Sequence, residues 1–253
     1  MSRPPVSAVV TTLDNAATLE ACLASVDWCE ERVLLDSGSR DATLEIARRH
    51  GARIAVQPFA GYSAQKQAAI DRAGTDWVLL LDADEELTAE GRAAIERELA
   101  APRADGYRLP RQELLFWRWP HPATRPNWQL RLFRRSAGAM NAVPVHAAPV
   151  VRGRVLDLQA PFRHRGEPDI ATRVAKINAY SSGLVVHKRA RRQRFVRTRM
   201  LLYPTFAFLR FYLGKRYLLN GWAGFIAART HAFYAFLKYA KLHEAGQDAR
   251  RTD

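Results

Sequence analysis

The 253-residue chain has only two cysteines, Cys22 and Cys29. So few exclude a disulfide-stapled scaffold. Their position in or beside the first helical segment, with no metal-type partner spacing, excludes a cysteine zinc site. Both are expected to be reduced packing residues of a cytosolic protein. The amino terminus lacks a basic segment followed by an apolar run, so no secretory leader is expected. No stretch reaches the roughly 18 uninterrupted apolar residues of a spanning helix. Acid is scarce in the second part of the chain. Residues 1–100 carry 10 Lys+Arg and 17 Asp+Glu, whereas residues 101–253 carry 29 and 8, so the net charge swings from −7 to +21. That asymmetry points to an anionic surface as partner of the second part. Hydrophobic residues make up 48% of the chain, enough for a sizeable core in one large domain or a domain with an appendage.

Strand and helix patterns alternate four times in the first hundred residues. Val6 to Thr12 is β-branched and ends near Asp14; Arg32 to Leu35 runs into Asp36-Ser37-Gly38-Ser39-Arg40-Asp41; Arg53 to Gln57 precedes a Pro-Phe-Ala-Gly loop; Trp77 to Leu81 runs into Asp82. Helical spacing follows each strand, over Thr18–Val26, Ala42–His50 with Asp41 as cap and Gly51 as stop, Ser63–Ala73, and the amphipathic Ala89–Ala101. Such alternation predicts a parallel sheet with right-handed crossovers. Asp14, Asp36 and the pair Asp82/Asp84 then gather beyond the carboxyl ends of the strands, where open α/β sheets bind ligands. A fifth strand is read over Gly106 to Pro110.

The sharpest chemical signal is Leu81-Asp82-Ala83-Asp84-Glu85. Five apolar residues end in two carboxylates that share one side of the chain if it stays extended. They repel unless something cationic lies between them, and a divalent metal carrying a diphosphate answers that need. A solvated acidic loop is the plain alternative, and for an isolated Asp-x-Asp the better one. Asp36 can accept from a base N–H or a ribose hydroxyl, since an ionised carboxylate only accepts. Ser37-Gly38-Ser39 is a turn that lets backbone approach a nucleotide. Gln65 and Lys66 sit at a helix start, where amides and a cation can meet a diphosphate. A solvated Lys66, and an Asp41 that merely caps, are the plain readings there.

Taken in order, Thr11-Thr12-Leu13-Asp14-Asn15, Val33-Leu34-Leu35-Asp36-Ser37-Gly38-Ser39-Arg40-Asp41, Gly61-Tyr62-Ser63-Ala64-Gln65-Lys66-Gln67 and Leu81-Asp82-Ala83-Asp84-Glu85 resemble the family 2 glycosyltransferases, closest to the lipopolysaccharide core β-1,4-glucosyltransferase group. The resemblance continues through Asn127 to Arg135, Pro144-Val145-His146 and Ala235 to Lys241. It implies an α/β GT-A fold, a Rossmann-like and mostly parallel sheet flanked by helices, with a helical, basic and aromatic-rich appendage at the carboxyl end. Residues 1–165 would form the catalytic domain, 166–245 a helical region, and 246–253 a disordered tail. The implied activity is metal-assisted, inverting transfer of a hexose, first of all glucose, from a UDP-sugar to a lipid-linked saccharide of the lipopolysaccharide core. Thr12, Asp14, Asp36, Gln65, Lys66 and Asp82 would bind the donor. Asp84, with Asp82, would hold Mg²⁺ or Mn²⁺. An inverting transfer needs a base for the acceptor hydroxyl. The related group has acids at positions that here are Ala147 and Asn127, so His146 and Glu113 become the candidates; a loop or core histidine is the plain reading of His146.

Between Val186 and Arg199 stand seven basic residues and no acid, and 13 of the 25 aromatic residues lie from Phe195 to Tyr239. Basic residues alternating with Phe, Tyr, Trp and Leu have the composition of helices lying in a membrane interface. A helical subdomain packing its own aromatics is the alternative. The expectation is peripheral binding to the anionic inner face of the bacterial inner membrane, and no nucleic-acid partner. Two other functions compete with this reading. A haloacid-dehalogenase-type phosphatase also carries Asp-x-Asp after an apolar strand, but normally has Thr or Val where Glu86 stands. A nucleic-acid-binding protein would leave the acids at the strand ends without a purpose.

Overall fold

The computed structural model describes residues 5–141, 147–167, 169–190 and 195–251. In chain order the first elements are β1 (Val6–Thr12), α1 (Ala16–Ala24), β2 (Glu31–Asp36), α2 (Thr43–Arg49), β3 (Arg53–Val56), α3 (Tyr62–Ile70), β4 (Trp77–Asp82), β5 (Glu85–Leu87) and α4 (Ala89–Ala100). There follow β6 (Gly106–Glu113), β7 (Asn127–Arg134), β8 (Gly138–Met140), β9 (Pro149–Val151), β10 (Val155–Asp157) and β11 (Phe162–His164), and then α5 (Ile170–Ala190), α6 (Val196–Leu209) and α7 (Gly221–Arg251). The chain divides into two compact units. The first takes residues 1–112 and 127–165; the second takes 113–126 and 166–253.

In the first unit the sheet order is β3-β2-β1-β4-β7-β6-β11-β5, with β10 pairing on β6. The four strands read from the alternation are parallel; β7 then runs antiparallel to β4 and to β6, so the whole sheet is mixed. Register aligns Thr12 with Asp36 on one side of β1 and Thr11 with Asp82 on the other. The strand-end acids therefore come to a common edge.

Both faces are covered, which is why these strands are nearly continuous apolar runs. Ala8, Val10, Leu34, Leu79 and Leu81 pack with Leu19, Leu23 and Ile46 of α1 and α2 and with Ile95 of α4. Val9, Leu35, Val78 and Leu80 pack on the opposite face with Ala69 and Ile70 of α3. Each fully buried Val or Leu contributes roughly 1.5–3 kcal/mol. Alternation along β4 puts Asp82 on the α3 side, so Lys66 reaches it.

The second unit is helical. Its core joins Leu115 and Phe116 to Tyr217, Ala223, Ala227 and Ala228, with Phe208, Phe211 and Tyr212 against them. The segment 113–126 is tied to the helices by buried Asn220, whose Oδ1 accepts from the His121 amide at 2.7 Å and whose Nδ2 donates to Thr124 Oγ1 at 3.0 Å. Two expectations are corrected here. Residues 113–126, placed within the catalytic domain by sequence, belong to the helical unit. Residues 246–251, expected as a disordered tail, continue α7.

Candidate active site

The site is built at the carboxyl ends of β1, β2 and β4. After β1 the chain turns through Asp14, whose φ of 51° is left-handed, a conformation Asp tolerates better than most residues. Thr12 Oγ1 donates to Asn15 Oδ1 at 3.0 Å. The Asp14 amide donates to Ser39 Oγ at 2.8 Å, and the Asp14 carboxylate accepts from the Arg40 amide at 2.8 Å. The first and second strand-end loops are thus stitched together. Asp36 is fully buried; its Oδ2 accepts from the Gly38 and Ser39 amides, both at 2.8 Å, and its Oδ1 accepts from the Ser39 hydroxyl. Gly38 sits at φ +106°, which only glycine adopts without strain. The turn at 37–39 thus supplies three hydrogen bonds to the carboxylate expected to meet a nucleotide. Asp41 accepts from the amides of Ala16 and Thr43, each at 3.0 Å, and so starts α1 and α2, the capping role the plain reading gave it.

Gln65 is buried and donates to Ser37 Oγ at 3.1 Å and to the Gln57 carbonyl at 3.2 Å. It ties α3 to the second loop. Lys66 is neither solvated nor waiting for an anion. It forms an ion pair with Asp82 and keeps only 13% of its side chain exposed.

The other Asp82 oxygen accepts from Arg131 Nη2 at 3.0 Å, and the same nitrogen lies 2.6 Å from Glu85 Oε1. Glu85 also receives the Asp82 amide at 3.0 Å and faces Arg111 at 3.5 Å. Burial alone would raise the Asp82 carboxyl, but Arg131 and Lys66 reverse this and hold it well below the usual carboxylate range. Burial pushes Glu85 up against the opposing pull of Arg131. Burial would likewise strip the proton from Arg131, and Glu85 and Asp82 keep it there. Two carboxylates and three cations therefore form one interlocked network under the Asp-x-Asp segment.

Asp84 meets a further partner from β11. The chain does not stay extended past β4; it turns at Ala83-Asp84 before β5. Asp84 then faces His164 of β11, Nε2 to Oδ2 at 3.2 Å, a residue the sequence gave no reason to select. Burial would lower the His164 pKa, but its hydrogen bond to the Asp84 carboxylate raises it overall. Among the described residues no three His, Cys, Asp or Glu side chains gather as a complete ligand set. A pair of one carboxylate and one imidazole nonetheless fits a divalent cation whose remaining ligands are water and substrate phosphate oxygens. Asp82, expected as a second ligand, has both oxygens engaged by Lys66 and Arg131 instead.

Of the two candidate bases, His146 lies outside the described residues. Glu113 closes β6, is half-buried, and acts electrostatically on Lys215 and His231 in the second unit. Asn127 opens β7, opposite Arg111.

A parallel half-sheet whose strand-end loops carry acids, with an Asp-x-Asp turn after β4, defines a glycosyltransferase of the GT-A fold. Residues 7–145 match the family model described as glycosyl transferase family 2, and the chain belongs to that family. It is 31% identical over 251 residues to the lipopolysaccharide core biosynthesis glycosyltransferase LpsC of Rhizobium meliloti (strain 1021), covering 95% of this chain and 92% of the relative. It is 29% identical to an uncharacterized glycosyltransferase of Rickettsia felis, covering 95% and 90%. Among solved structures it is similar to S. aureus TarS residues 1–349 in complex with UDP, with a TM-score of 0.48 and 15% identity, covering 98% of this chain and 92% of that one. The membership sets aside the phosphatase reading of the Asp-x-Asp segment.

Proposed function

We propose that this glycosyltransferase moves a hexose, with UDP-glucose as the first donor to test, to a lipid-linked saccharide of the lipopolysaccharide core, with inversion. The relationship to LpsC supports the acceptor class. The observation that carries the reading is the pairing of Asp84 with His164 beside the Asp82, Lys66 and Arg131 network at the strand ends. In this reading Asp84 and His164 hold Mg²⁺ or Mn²⁺. A metal bound there would carry the donor diphosphate and offset charge developing on the leaving group.

The chain's own groups do the rest. The buried Arg131, with Lys66, keeps the floor of the site cationic while fixing Asp82 in place on the ribose side. The loops at 12–15 and 36–41, held to each other by Asp14 and Ser39, shape the nucleotide pocket. Glu113 or His146 takes the acceptor hydroxyl proton. The acceptor is held at the anionic inner face of the bacterial inner membrane, which suits the basic second part of the chain. The test is nucleotide release from a panel of UDP-, GDP- and dTDP-sugars, with and without Mn²⁺ or Mg²⁺. Metal-dependent release from a UDP-hexose is expected; release from none of the donors overturns the reading.

A further inference from the structure

Helix α6 is apolar on two sides and covers only one. Phe208, with Phe211 and Tyr212 just past the helix end, packs into the core of the second unit. Phe208 meets Phe225 edge-on with ring centres 5.8 Å apart, and Phe211 stacks on His231 at 3.6 Å. Leu202, Phe206 and Leu209 follow at intervals of four and three residues, which is one helical stripe on the other side, and Leu213 lies just past the helix end in the turn at 210–214. They are 63%, 62%, 46% and 54% exposed, and no residue of α6 is buried. A helix with two apolar sides ordinarily covers both, in a core or in lipid.

Two occupants suit such a stripe, a second copy of this chain or the apolar layer of a bilayer, and charge decides between them. From Asp169 to Glu244 the intervening sequence contains no Asp or Glu and 15 Lys or Arg. Arg197 precedes the stripe, Arg210 interrupts it and Arg216 follows it, all three exposed. Pairing two copies of this segment would bring like charges together in a poorly solvated contact. An anionic lipid surface meets the same charges with their counterpart. No helix among the described residues is long and apolar enough to cross a membrane.

We infer that α6 lies in the plane of an anionic lipid surface, with Leu202, Phe206, Leu209 and Leu213 inserted below the headgroups and Arg197, Arg210 and Arg216 at headgroup level. This sharpens the membrane contact of the proposed function to one helix face and rests on that reading only for its purpose. Insertion of this kind scales with apolar area and with attraction to anionic lipid together.

The test uses the full chain and vesicles of phosphatidylcholine with or without phosphatidylglycerol. The chain should float with the anionic vesicles. Replacing Leu202, Phe206, Leu209 and Leu213 together by Ser, with circular dichroism unchanged, should weaken that binding by more than about tenfold. A second measurement does not depend on that variant folding. Cys22 and Cys29 are buried, so an environment-sensitive dye can be placed on Phe206→Cys alone. Its emission should shift to the blue with anionic vesicles, while the same dye on Glu90→Cys in the first unit should not respond. An unshifted Phe206→Cys probe, or equal binding to neutral vesicles, overturns the inference. So does a dimer in light scattering that shields the Phe206→Cys dye without lipid, which would make the stripe a contact between copies. Vesicle binding without sugar transfer from any donor would leave this inference standing and sink the transferase assignment, so the two fail separately.

Discussion

Asp82 and Asp84 are two positions apart and have different neighbours, and the difference is measurable. Asp82 pairs with Arg131, which is only 5% exposed, and with Lys66, so it serves the fold. Removing one partner of such a cluster leaves an uncompensated cation, at a cost of about 2 kcal/mol or more. Asp84 faces His164, which can give up its proton where a guanidinium cannot. Asp84→Asn is therefore expected to cut kcat by at least about 10²-fold with little change in Tm, whereas Asp82→Asn should lower Tm by several degrees as well. Scanning calorimetry beside a nucleotide-release assay checks both; equal Tm losses in the two variants would show that the division of labour is wrong. The base is tested in the same way. Glu113→Gln or His146→Gln should slow single-turnover transfer by on the order of 10²–10⁴, the usual worth of acid–base catalysis. If both variants react at the wild-type rate, another group carries the proton.

Between elements, the joint of α5 with α7 is bridged by an arginine. Arg173 donates to Thr230 Oγ1 at 2.9 Å, to Glu167 Oε2 at 3.0 Å and to His231 Nε2 at 3.1 Å. His231 must be neutral to accept, and burial, with Arg173 beside it, lowers its pKa from 6.5 to about 4. Between those values the unfolded chain binds the proton more readily than the folded one. The contribution to stability is thus fully present above pH 6.5 and is lost as pH falls toward 4, reaching about 3 kcal/mol. Urea midpoints followed from pH 7.5 to 4 should show this slope, and His231→Gln should flatten it; an unchanged slope in the variant would assign the acid loss elsewhere. Sequence patterns disclosed neither this joint nor the Asp84–His164 pair, for one physical reason. The bonds from Arg173 to α7 span 57 and 58 positions and the Asp84–His164 pair spans 80, on elements with no local signature. The βαβ units were legible because buried strands and one-sided helices impose periods of 2 and 3.6 on neighbouring residues. The Asp-x-Asp segment was legible as chemistry but not as geometry. The turn at Ala83-Asp84 parts two carboxylates that an extended chain would have aligned, and the neutralising cations came from Lys66 and Arg131 of the protein itself.

At the scale of the whole chain, the charge asymmetry is too large to be a by-product of packing. Residues 1–100 carry a net −7, and the cations that meet Asp82 at the strand ends are Lys66 from that part and Arg131 from the other. Some of the basic residues of the remainder pair with acids of the first hundred, Arg131 with Asp82, Arg134 with Asp76 and Arg165 with Glu86 among them, but a net +21 leaves an excess that anions outside the chain would suit. If those anions are lipid headgroups, salt should separate two activities that share one catalytic centre. Each Lys or Arg close to an anionic surface contributes roughly 1 kcal/mol, and that attraction is screened within about 8–10 Å at ordinary ionic strength. Transfer to an acceptor embedded in phosphatidylglycerol vesicles should then slow steeply as salt is raised. Release of nucleotide from the donor in the absence of vesicles should change little, because the ion pairs of the site are largely shielded from solvent. Changing Arg191, Arg192 and Arg194 together to Ser, residues outside the described part of the chain, should reproduce the effect at low salt. A loss of tenfold to about a hundredfold is expected on vesicle-borne acceptor and almost none on donor release. Equal losses on both would place the basic residues at the donor, and no loss on either would mean that the chain meets its acceptor without electrostatic help.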